Sequence, residues 1–142
     1  MYEYHTRVKW KKDRLCALET GKGLSTDFSS PPEFKGIGGL LTPECLFVAS
    51  QNTCFLMTFI SMAERMRLEF LSYECEAFGY LEKTQSGFAF TRIVLRPRIE
   101  VKDNRDAERA RKAIELADSN CLIANSIKSE IQIEPDIFQS KE

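Results

Sequence analysis

The chain has 142 residues, a formal net charge of -1, 43% hydrophobic residues and 29% charged residues. This length suits one domain with a core of ordinary size, and the composition is that of a soluble globular protein, not of a disordered chain. A charge so close to neutral excludes the wide basic surface that nucleic acids and anionic membranes require. Residues 1–5 lack the basic and then apolar order of a signal peptide, so we expect a cytoplasmic protein.

Five cysteines and a single histidine limit the disulfide and metal chemistry of the chain. The cysteine number is odd, the spacing is irregular and there is no Cys-x-x-Cys pair, which argues against a secreted disulfide framework. His5 alone cannot supply the ligands of an ordinary zinc site, so we expect no metal.

The N-terminal part is predicted to form two short strands followed by a long connection. Residues 4–18 alternate polar and apolar side chains on both sides of a polar turn, which favours a hairpin. Residues 19–41 are rich in Gly, Ser and Pro and are predicted as one irregular connection. The glycines of residues 36–39 do not make a dinucleotide motif, because Leu41 stands where G-x-G-x-x-G requires its last glycine.

A long helix is predicted from Thr42 to about Arg67. Thr42 can cap it, Pro43 is accepted at the first helical position, and Glu44 complements the positive helix end. The middle of the segment is apolar on nearly every side, which predicts a central, buried helix. Polar residues interrupt the apolar run over positions 46–63, so we do not expect a membrane span.

The C-terminal half is predicted to contain a hairpin, a second helix and a final strand. Residues 71–77 and 89–101 alternate apolar and charged side chains, and Pro97 is expected to mark an edge or a bulge. The second helix spans about Arg105 to Asp118, and the strand covers residues 131–133. The outward charges of the hairpin are expected to pair across its strands: Glu74, Glu76, Arg92 and Arg96.

Cys54 lies about three turns into the predicted central helix, and its neighbours leave two interpretations open. Small and polar residues share its stripe, so a ligand could approach closely, and Phe47, Phe55 and Met57 are candidates for an apolar pocket. A cysteine buried in apolar surroundings is inert, however, unless a positive group lowers its pKa, and this helix supplies none. The others are predicted to be ordinary buried or half-buried thiols: Cys16, Cys45 and Cys75.

Three segments of the chain resemble the OsmC/Ohr family. The first contains the helix start Thr42-Pro43-Glu44 and places Cys54 ten residues after the glutamate, as in that family. The second, residues 86–95, is similar to the family's central strand. The third, residues 117–126, is similar to its second cysteine motif, and Cys121 follows Cys54 by 67 residues. The resemblance extends over nearly the whole chain.

The resemblance implies a thiol peroxidase that reduces organic hydroperoxides, and hydrogen peroxide less well. Cys54 then corresponds to the peroxidatic cysteine that becomes a sulfenic acid, and Cys121 to the resolving cysteine that condenses with it into a disulfide. An external dithiol, a lipoyl group in the better-known members, reduces the disulfide, and no metal or organic cofactor is implied. Glu44 matches a glutamate that orients an arginine against the thiolate. Arg14 is the closest match for that arginine, and Arg7 is the second.

The predicted fold is α+β, with an antiparallel sheet wrapped around the long central helix in an intertwined homodimer. A helix that is apolar on all sides needs more cover than one chain of this size provides, and the resemblance implies the same assembly. One domain is expected over residues 1–142, built from an N-terminal hairpin and loop (1–41), the central helix (42–67) and the remainder (68–142).

Two points stay open at the level of sequence. Ten helical residues rise about 15 Å, so Glu44 and Cys54 share one site only if the helix breaks or if Glu44 acts across a dimer interface. Many members of the family have proline and serine after the second cysteine, where this chain has Leu122-Ile123-Ala124, which leaves the substrate preference open. A redox-sensing or ligand-binding protein without turnover, and a structural dimer with inert thiols, are the alternative functions.

Overall fold

The structure, a computed structural model, describes residues 1–141 and confirms the predicted α+β class. The strands and α-helices, in chain order, are β1 (Thr6–Lys12), β2 (Leu15–Thr20), β3 (Leu24–Phe28), α1 (Pro43–Arg65), β4 (Ser72–Thr84), β5 (Gly87–Val101), α2 (Asn104–Asn120), β6 (Glu130–Ile133) and β7 (Asp136–Gln139). The chain divides into two compact units whose boundary, between Phe47 and Val48, falls inside α1. That the whole chain is one domain stays a prediction.

The first unit contains an antiparallel sheet in the order β1-β2-β3. β1 and β2 form the predicted hairpin, in which Trp10 lies opposite Cys16. β3 was missed, because its residues lie within the segment predicted as one irregular connection. It is short and largely polar, so its strand conformation depends on its pairing with β2, from Cys16 opposite Phe28 to Thr20 opposite Leu24.

The segment after β3 is tied to the start of α1 by hydrogen bonds of its main chain. The N–H of Ser29 donates to the carbonyl of Leu41 at 3.0 Å, and the buried Ser29 hydroxyl accepts the N–H of Ile37 at 2.9 Å. Gly36 packs so closely that an added Cβ would lie 1.4 Å from the carbonyl oxygen of Ser30. Only glycine can occupy that position without moving the loop.

The helix α1 begins as predicted and ends at Arg65. The Thr42 hydroxyl accepts the N–H of Cys45 at 3.0 Å, which is the expected cap. One face of the helix is buried, and it is formed by Gln51, Phe55, Phe59, Met62 and Ala63.

Within a single chain only one side of α1 is buried, in keeping with the expectation that one chain provides too little cover for this helix. Met57, on the opposite face, is 57% exposed, because the structural elements that cover the helix reach only one side of it. By length and mean hydropathy (1.4) the helix Pro43–Arg65 could cross a membrane, a property that the core helices of soluble proteins share.

The second unit is built on a sheet whose central strand is β5. β4 pairs with β5 as the predicted antiparallel hairpin, and β6 pairs with β5 in parallel. β7 also runs parallel to β5, further along it, in a segment that was predicted to be a polar tail. The tail strand was missed because four residues carry too little pattern to identify a strand.

Pro97 marks a local edge of this sheet, and the bulge lies elsewhere. Pairing with β6 ends at Leu95 of β5 and pairing with β7 begins at Arg98, so Pro97 sits in the gap between the two short strands. A residue without an N–H is tolerated there because no strand requires its donor. The register shift of the hairpin occurs at Tyr80 and Leu81 instead.

The hairpin register places Glu76 opposite Arg96, as predicted, whereas Arg92 lies opposite Tyr80. The ion pairs of Arg96 and Arg98 are formed with other carboxylates, with Glu134 after β6 at 3.0 Å and with Asp136 of β7 at 3.2 Å. Arg92 lies over the Tyr80 ring, 4.1 Å from its centroid. Glu74 and Glu76 line a charged surface groove together with Arg96 and Arg98.

The helix α2 carries the predicted apolar stripe, and this stripe is buried. Asp103 caps the helix by accepting the N–H of Asp106 at 2.9 Å. The buried positions recur at helical spacing: Ala107, Ala110, Ile114 and Ala117. Inward residues of β5 are also buried, among them Ile93, Leu95 and Ile99, and each contributes about 1.5–3 kcal/mol by leaving water. The helix ends at Asn120, and the next residue, Cys121, is buried in the interior.

Candidate active site

Cys54 of α1 and Cys121, which follows α2, lie side by side in the second unit. Their Sγ atoms are 3.3 Å apart although 67 residues separate them along the chain. A disulfide requires about 2.05 Å, so an approach of little more than about 1 Å would join them. The arrangement has the geometry of a reduced pair that can be oxidised.

Different parts of the chain hold the two sulfurs. Cys54 is half-buried and borders the core-facing side of α1, next to the fully buried Phe55. Cys121 is buried, and its extended backbone (φ -72°, ψ 116°) ends α2 and starts a turn. The N–H of Asn125 donates to the Cys121 carbonyl at 3.1 Å and closes that turn. This hydrogen bond holds the turn and therefore sets the direction in which its N–H groups point.

The surroundings of Cys54 favour its thiolate. Burial by itself would raise the pKa of Cys54, but the backbone N–H of Ile123, the Cys121 thiol, the Thr58 hydroxyl and the backbone N–H of Leu122 outweigh it and lower the pKa below its ordinary value. Donors aimed at a sulfur stabilise its charged form. Cys54 is therefore the better nucleophile of the pair.

Cys121 has the opposite tendency. Burial raises the pKa of Cys121, and the neighbouring Cys54 raises it further by charge and by hydrogen bonding, while the backbone N–H of Ala124 opposes these effects only in part. When the pair loses one proton, Cys54 is therefore the side that loses it, and the Cys121 thiol donates to the Cys54 sulfur. The roles of attacking and resolving cysteine, which the family resemblance implies for Cys54 and Cys121, stay predictions.

Two side chains of α1 complete the surroundings of the pair. The Gln51 amide nitrogen donates to the Cys121 sulfur at 3.5 Å. The Thr58 hydroxyl oxygen is 2.9 Å from the Cys54 carbonyl oxygen and 4.0 Å from the Cys54 sulfur, and its single proton can be donated to only one of these acceptors at a time. Both belong to the small and polar residues that share the stripe of Cys54 in the sequence, and no role was predicted for either. A buried glutamine on an apolar helix face is the signal that could have identified Gln51.

The main-chain donors were also not predicted, because a positive side chain was expected to lower the pKa of Cys54. The groups that lower its pKa include the N–H groups of Leu122 and Ile123, which any residues except proline would supply. Side-chain identity cannot reveal such donors. The sequence does give one indication of them: Leu122-Ile123-Ala124 stands where many members of the OsmC/Ohr family have a proline, which carries no N–H.

Glu44 and Arg14 both lie in the first unit, and their roles stay predictions. Glu44 is half-buried in the first turn of α1, and its Oε1 is buried without a hydrogen-bond partner among residues 1–141. Arg14 is exposed in the turn between β1 and β2, and Arg7 is exposed on β1. Because α1 is one helix from Pro43 to Arg65, the alternative of a break between Glu44 and Cys54 is excluded.

The three side chains that were predicted to line an apolar pocket around Cys54 do not form one within the chain. Phe55 is fully buried in the core, whereas Met57 is exposed. Residues two apart on a helix point in nearly opposite directions, so these two cannot line one pocket within a chain. Phe47 is half-buried in the first unit.

The remaining cysteines match their predicted character except for one. Cys16 and Cys75 are half-buried, and burial raises the pKa of Cys75. Cys45 was predicted to be buried or half-buried but is exposed, because the first turn of α1 presents it to solvent. Among residues 1–141, no three His, Cys, Asp or Glu side chains form a group that could hold a metal ion.

Comparisons with known proteins identify the family and the fold of the chain. The model of the family described as OsmC-like protein matches residues 36–136. The uncharacterized protein YmaD of Bacillus subtilis is 26% identical over 138 residues, which cover 94% of this chain and 91% of YmaD. The structure of an OsmC-like protein of unknown function from Vibrio cholerae aligns with a TM-score of 0.85 and 28% identity, covering 95% of this chain and 99% of that one.

A third relative has a name that refers to hydroperoxides. The crystal structure of an organic hydroperoxide resistance protein OsmC from Legionella pneumophila aligns with a TM-score of 0.76 and 23% identity. The alignment covers 96% of this chain and 97% of that chain. At this identity the likeness establishes the shared fold.

Proposed function

The chain belongs to the family of OsmC-like proteins, and from this premise we propose that it is a thiol-dependent peroxidase that reduces organic hydroperoxides. Hydrogen peroxide is the poorer substrate in this proposal. The observation that carries it is the 3.3 Å separation of the Cys54 and Cys121 sulfurs, with the Cys54 pKa lowered and the Cys121 pKa raised. A structural pair of inert thiols does not require this asymmetry.

In the first step the Cys54 thiolate attacks the terminal oxygen of the hydroperoxide. The O–O bond breaks, the alkoxide leaves and takes up a proton to become an alcohol, and Cys54 becomes a sulfenic acid. The N–H groups of Ile123 and Leu122 favour the thiolate form of this sulfur before the attack. The protein needs no metal or organic cofactor for this step.

In the second step Cys121 attacks the Cys54 sulfenic acid. The S–S bond forms, the S–O bond breaks, and the hydroxide leaves as water with the proton that Cys121 loses. Because Cys121 is already in contact with Cys54, this condensation needs no large rearrangement. An external dithiol, such as a lipoyl group, then reduces the disulfide by thiol exchange. This cycle suits the reducing conditions of the cytoplasm.

The preference for organic hydroperoxides is supported by the apolar residues next to the pair. Leu122, adjacent to Cys121, is 65% exposed, and Ile123, which follows it, is half-buried. Covering such surfaces with an apolar tail contributes about 25 cal/mol per Å² of area removed from water. Hydrogen peroxide has no tail and gains nothing from them.

We also propose that the protein acts as a homodimer in which Glu44 serves the Cys54 of the partner chain. The exposed apolar side of α1, which includes Met57, needs cover, and the unbroken helix keeps Glu44 about 15 Å from the Cys54 of its own chain. Mixed dimers test this role. A dimer with Glu44→Ala on one chain and Cys54→Ser on the other retains one complete site only for one assignment of Glu44.

The decisive experiment measures consumption of cumene hydroperoxide with excess dithiol. Turnover by the wild type that Cys54→Ser abolishes supports the proposal, and Cys121→Ser should stall as sulfenic or over-oxidised protein. One oxidation of Cys54 without turnover would instead identify a redox sensor of the same fold. A Cys54 that resists the hydroperoxide and alkylates slowly at neutral pH would contradict both functions.

A further inference from the structure

Gln51 is a polar residue in the interior of the second unit. Its side chain is 0% exposed, and it lies on α1 three residues before Cys54, on the same side of the helix. Burying an amide is costly unless both of its polar ends form hydrogen bonds. The contacts of Gln51 therefore indicate what the residue does.

The two ends of the Gln51 amide differ in their hydrogen bonding. The nitrogen donates to the Cys121 sulfur at 3.5 Å, whereas Oε1 is buried and has no hydrogen-bond partner in the described part of the chain. An unpaired buried acceptor destabilises a fold. A protein with an apolar side chain of similar length at position 51 would therefore be at least as stable. The stability of the fold therefore does not explain why a glutamine occupies this position.

We propose that Gln51 is the positioning residue of the resolving step: its amide N–H holds the Cys121 sulfur against Cys54 and stabilises the thiolate with which Cys121 attacks. This inference rests on the proposed peroxidase function and assigns a role within it. Gln51 contacts Cys121 and not Cys54, so it reaches the attack of Cys54 on the hydroperoxide only through the Cys121 thiol, and its main effect is on disulfide formation.

The need for such a donor arises only after Cys54 has been oxidised. In the reduced pair, burial and the adjacent Cys54 raise the pKa of Cys121, which keeps its proton in place. Conversion of Cys54 to a neutral sulfenic acid removes the neighbouring charge, but burial still disfavours the Cys121 thiolate. The Gln51 N–H compensates for the lost water at that moment.

The chemistry of the step balances with the groups present. The Cys121 thiolate forms the S–S bond, the S–O bond of the Cys54 sulfenic acid breaks, and the departing hydroxide with the Cys121 proton makes one water. Cys121 is oxidised, the sulfenic sulfur is reduced, and the hydroperoxide of the first step is the only oxidant.

The test replaces Gln51 by methionine, which has similar length and no amide. Reduced protein is mixed with one equivalent of cumene hydroperoxide and quenched at intervals with dimedone and iodoacetamide, and mass spectrometry counts sulfenic acid, disulfide and free thiol. Gln51→Met should form the disulfide about tenfold more slowly, as expected for loss of one hydrogen bond to a charged group, and should change the rate of Cys54 oxidation much less. Sulfinic acid on Cys54 should accumulate when hydroperoxide is in excess.

Asn52 provides the matched control. Its side-chain amide lies on the same helix but donates to the Cys75 carbonyl at 3.2 Å, away from the cysteine pair. Asn52→Leu should therefore form the disulfide at the wild-type rate. Thermal unfolding of Gln51→Met should occur at the wild-type temperature or above it, because the unpaired oxygen is removed. If methionine does not fold, Gln51→Leu takes its place.

The dependence on pH separates thiolate stabilisation from a purely structural role. Disulfide formation by Gln51→Met should recover as the pH rises, because hydroxide then removes the proton that the amide no longer helps Cys121 to lose. Disulfide formation at the wild-type rate at every pH, or slowing by the same factor at every pH, would overturn the inference. A wild-type Cys54 that forms no sulfenic acid would overturn the proposed function itself, which is a separate result.

Discussion

The backbone N–H of Ile123 donates to the Cys54 sulfur and, after burial, has the largest effect on the pKa of that thiol. The acidity of Cys54 is thus set by the main chain of the turn that follows Cys121. The same turn carries the resolving cysteine and the donors for the attacking one. A change in its conformation alters both steps of the proposed cycle.

The first prediction concerns the pH dependence of alkylation. Because the pKa of Cys54 is lowered, its rate of alkylation should reach half its maximum at a pH below that of an ordinary cysteine. Cys75 and Cys121, whose pKa values are raised, should need a higher pH. Iodoacetamide labelling between pH 5 and about 10, followed by peptide mass spectrometry, measures all three thiols together. Equal midpoints for Cys54 and Cys75 would contradict the assignment.

The second prediction concerns Leu122→Pro, which removes one N–H donor and leaves the others. Proline has no N–H, and the extended backbone of Cys121 (φ -72°, ψ 116°) is the conformation that a residue before proline prefers. The pKa of Cys54 should rise, and its alkylation at pH 7 should slow about threefold or more, since a hydrogen bond to a charged group is lost. Leu122→Ala keeps the N–H and should alkylate like the wild type. A Leu122→Pro variant that is folded and equally reactive would show that this donor is unimportant.

The sequence predicted those elements that have a strong local signal. The cap of α1 at Thr42 and the stripe of α2 were correct because caps and helical periodicity are properties of neighbouring residues. The strands β3 and β7 were missed because their residues become strands only by pairing with β2 and β5. Pairing partners are distant in sequence, and no local pattern specifies them.

The candidate site shows the same division. Cys54 and Cys121 were identified through family resemblance, and the structure adds that their sulfurs are in contact. The roles of the Ile123 N–H and the Gln51 amide were inaccessible, because they depend on how a turn and a helix meet. The expected pocket failed for a local reason, since Phe55 and Met57 point to opposite sides of α1.

The third prediction contrasts two apolar residues of α1. Phe59 is fully buried, with ring centroids 5.2 Å from Phe70 and 5.3 Å from Tyr73. Phe59→Ala should lower the free energy of unfolding by about 3–5 kcal/mol, because it leaves a cavity among these rings. Urea unfolding followed by circular dichroism measures the change.

Met57→Ala provides the comparison. If Met57 is solvent-exposed in the native assembly, this change alters the free energy of unfolding by no more than about 0.5 kcal/mol. In the proposed homodimer it should instead weaken association, which sedimentation at several protein concentrations detects. A dimer unaffected by Met57→Ala would place the interface away from this side of the helix.

The last prediction concerns Gly79, which lets α1 approach β4. A Cβ built on Gly79 would lie 2.4 Å from Cγ2 of Val48 on α1 and 2.9 Å from the Phe90 ring. Gly79→Ala should therefore push the helix away from the sheet at a cost of about 1–3 kcal/mol in the free energy of unfolding. Because the Cys121 turn does not belong to α1, the displaced helix should also separate Cys54 from Cys121 and slow disulfide formation.

Gly87→Ala is the matched control, since Gly87 has a positive φ of 109° and no atom within 4 Å of its added Cβ. Its strain is confined to the hairpin turn, so it should lower stability without changing the rate of disulfide formation. Thermal unfolding and the quenched oxidation assay measure the two quantities on each variant. If Gly79→Ala and Gly87→Ala lose stability alike and both form the disulfide at the wild-type rate, the sulfur contact does not depend on the close packing of α1 against β4.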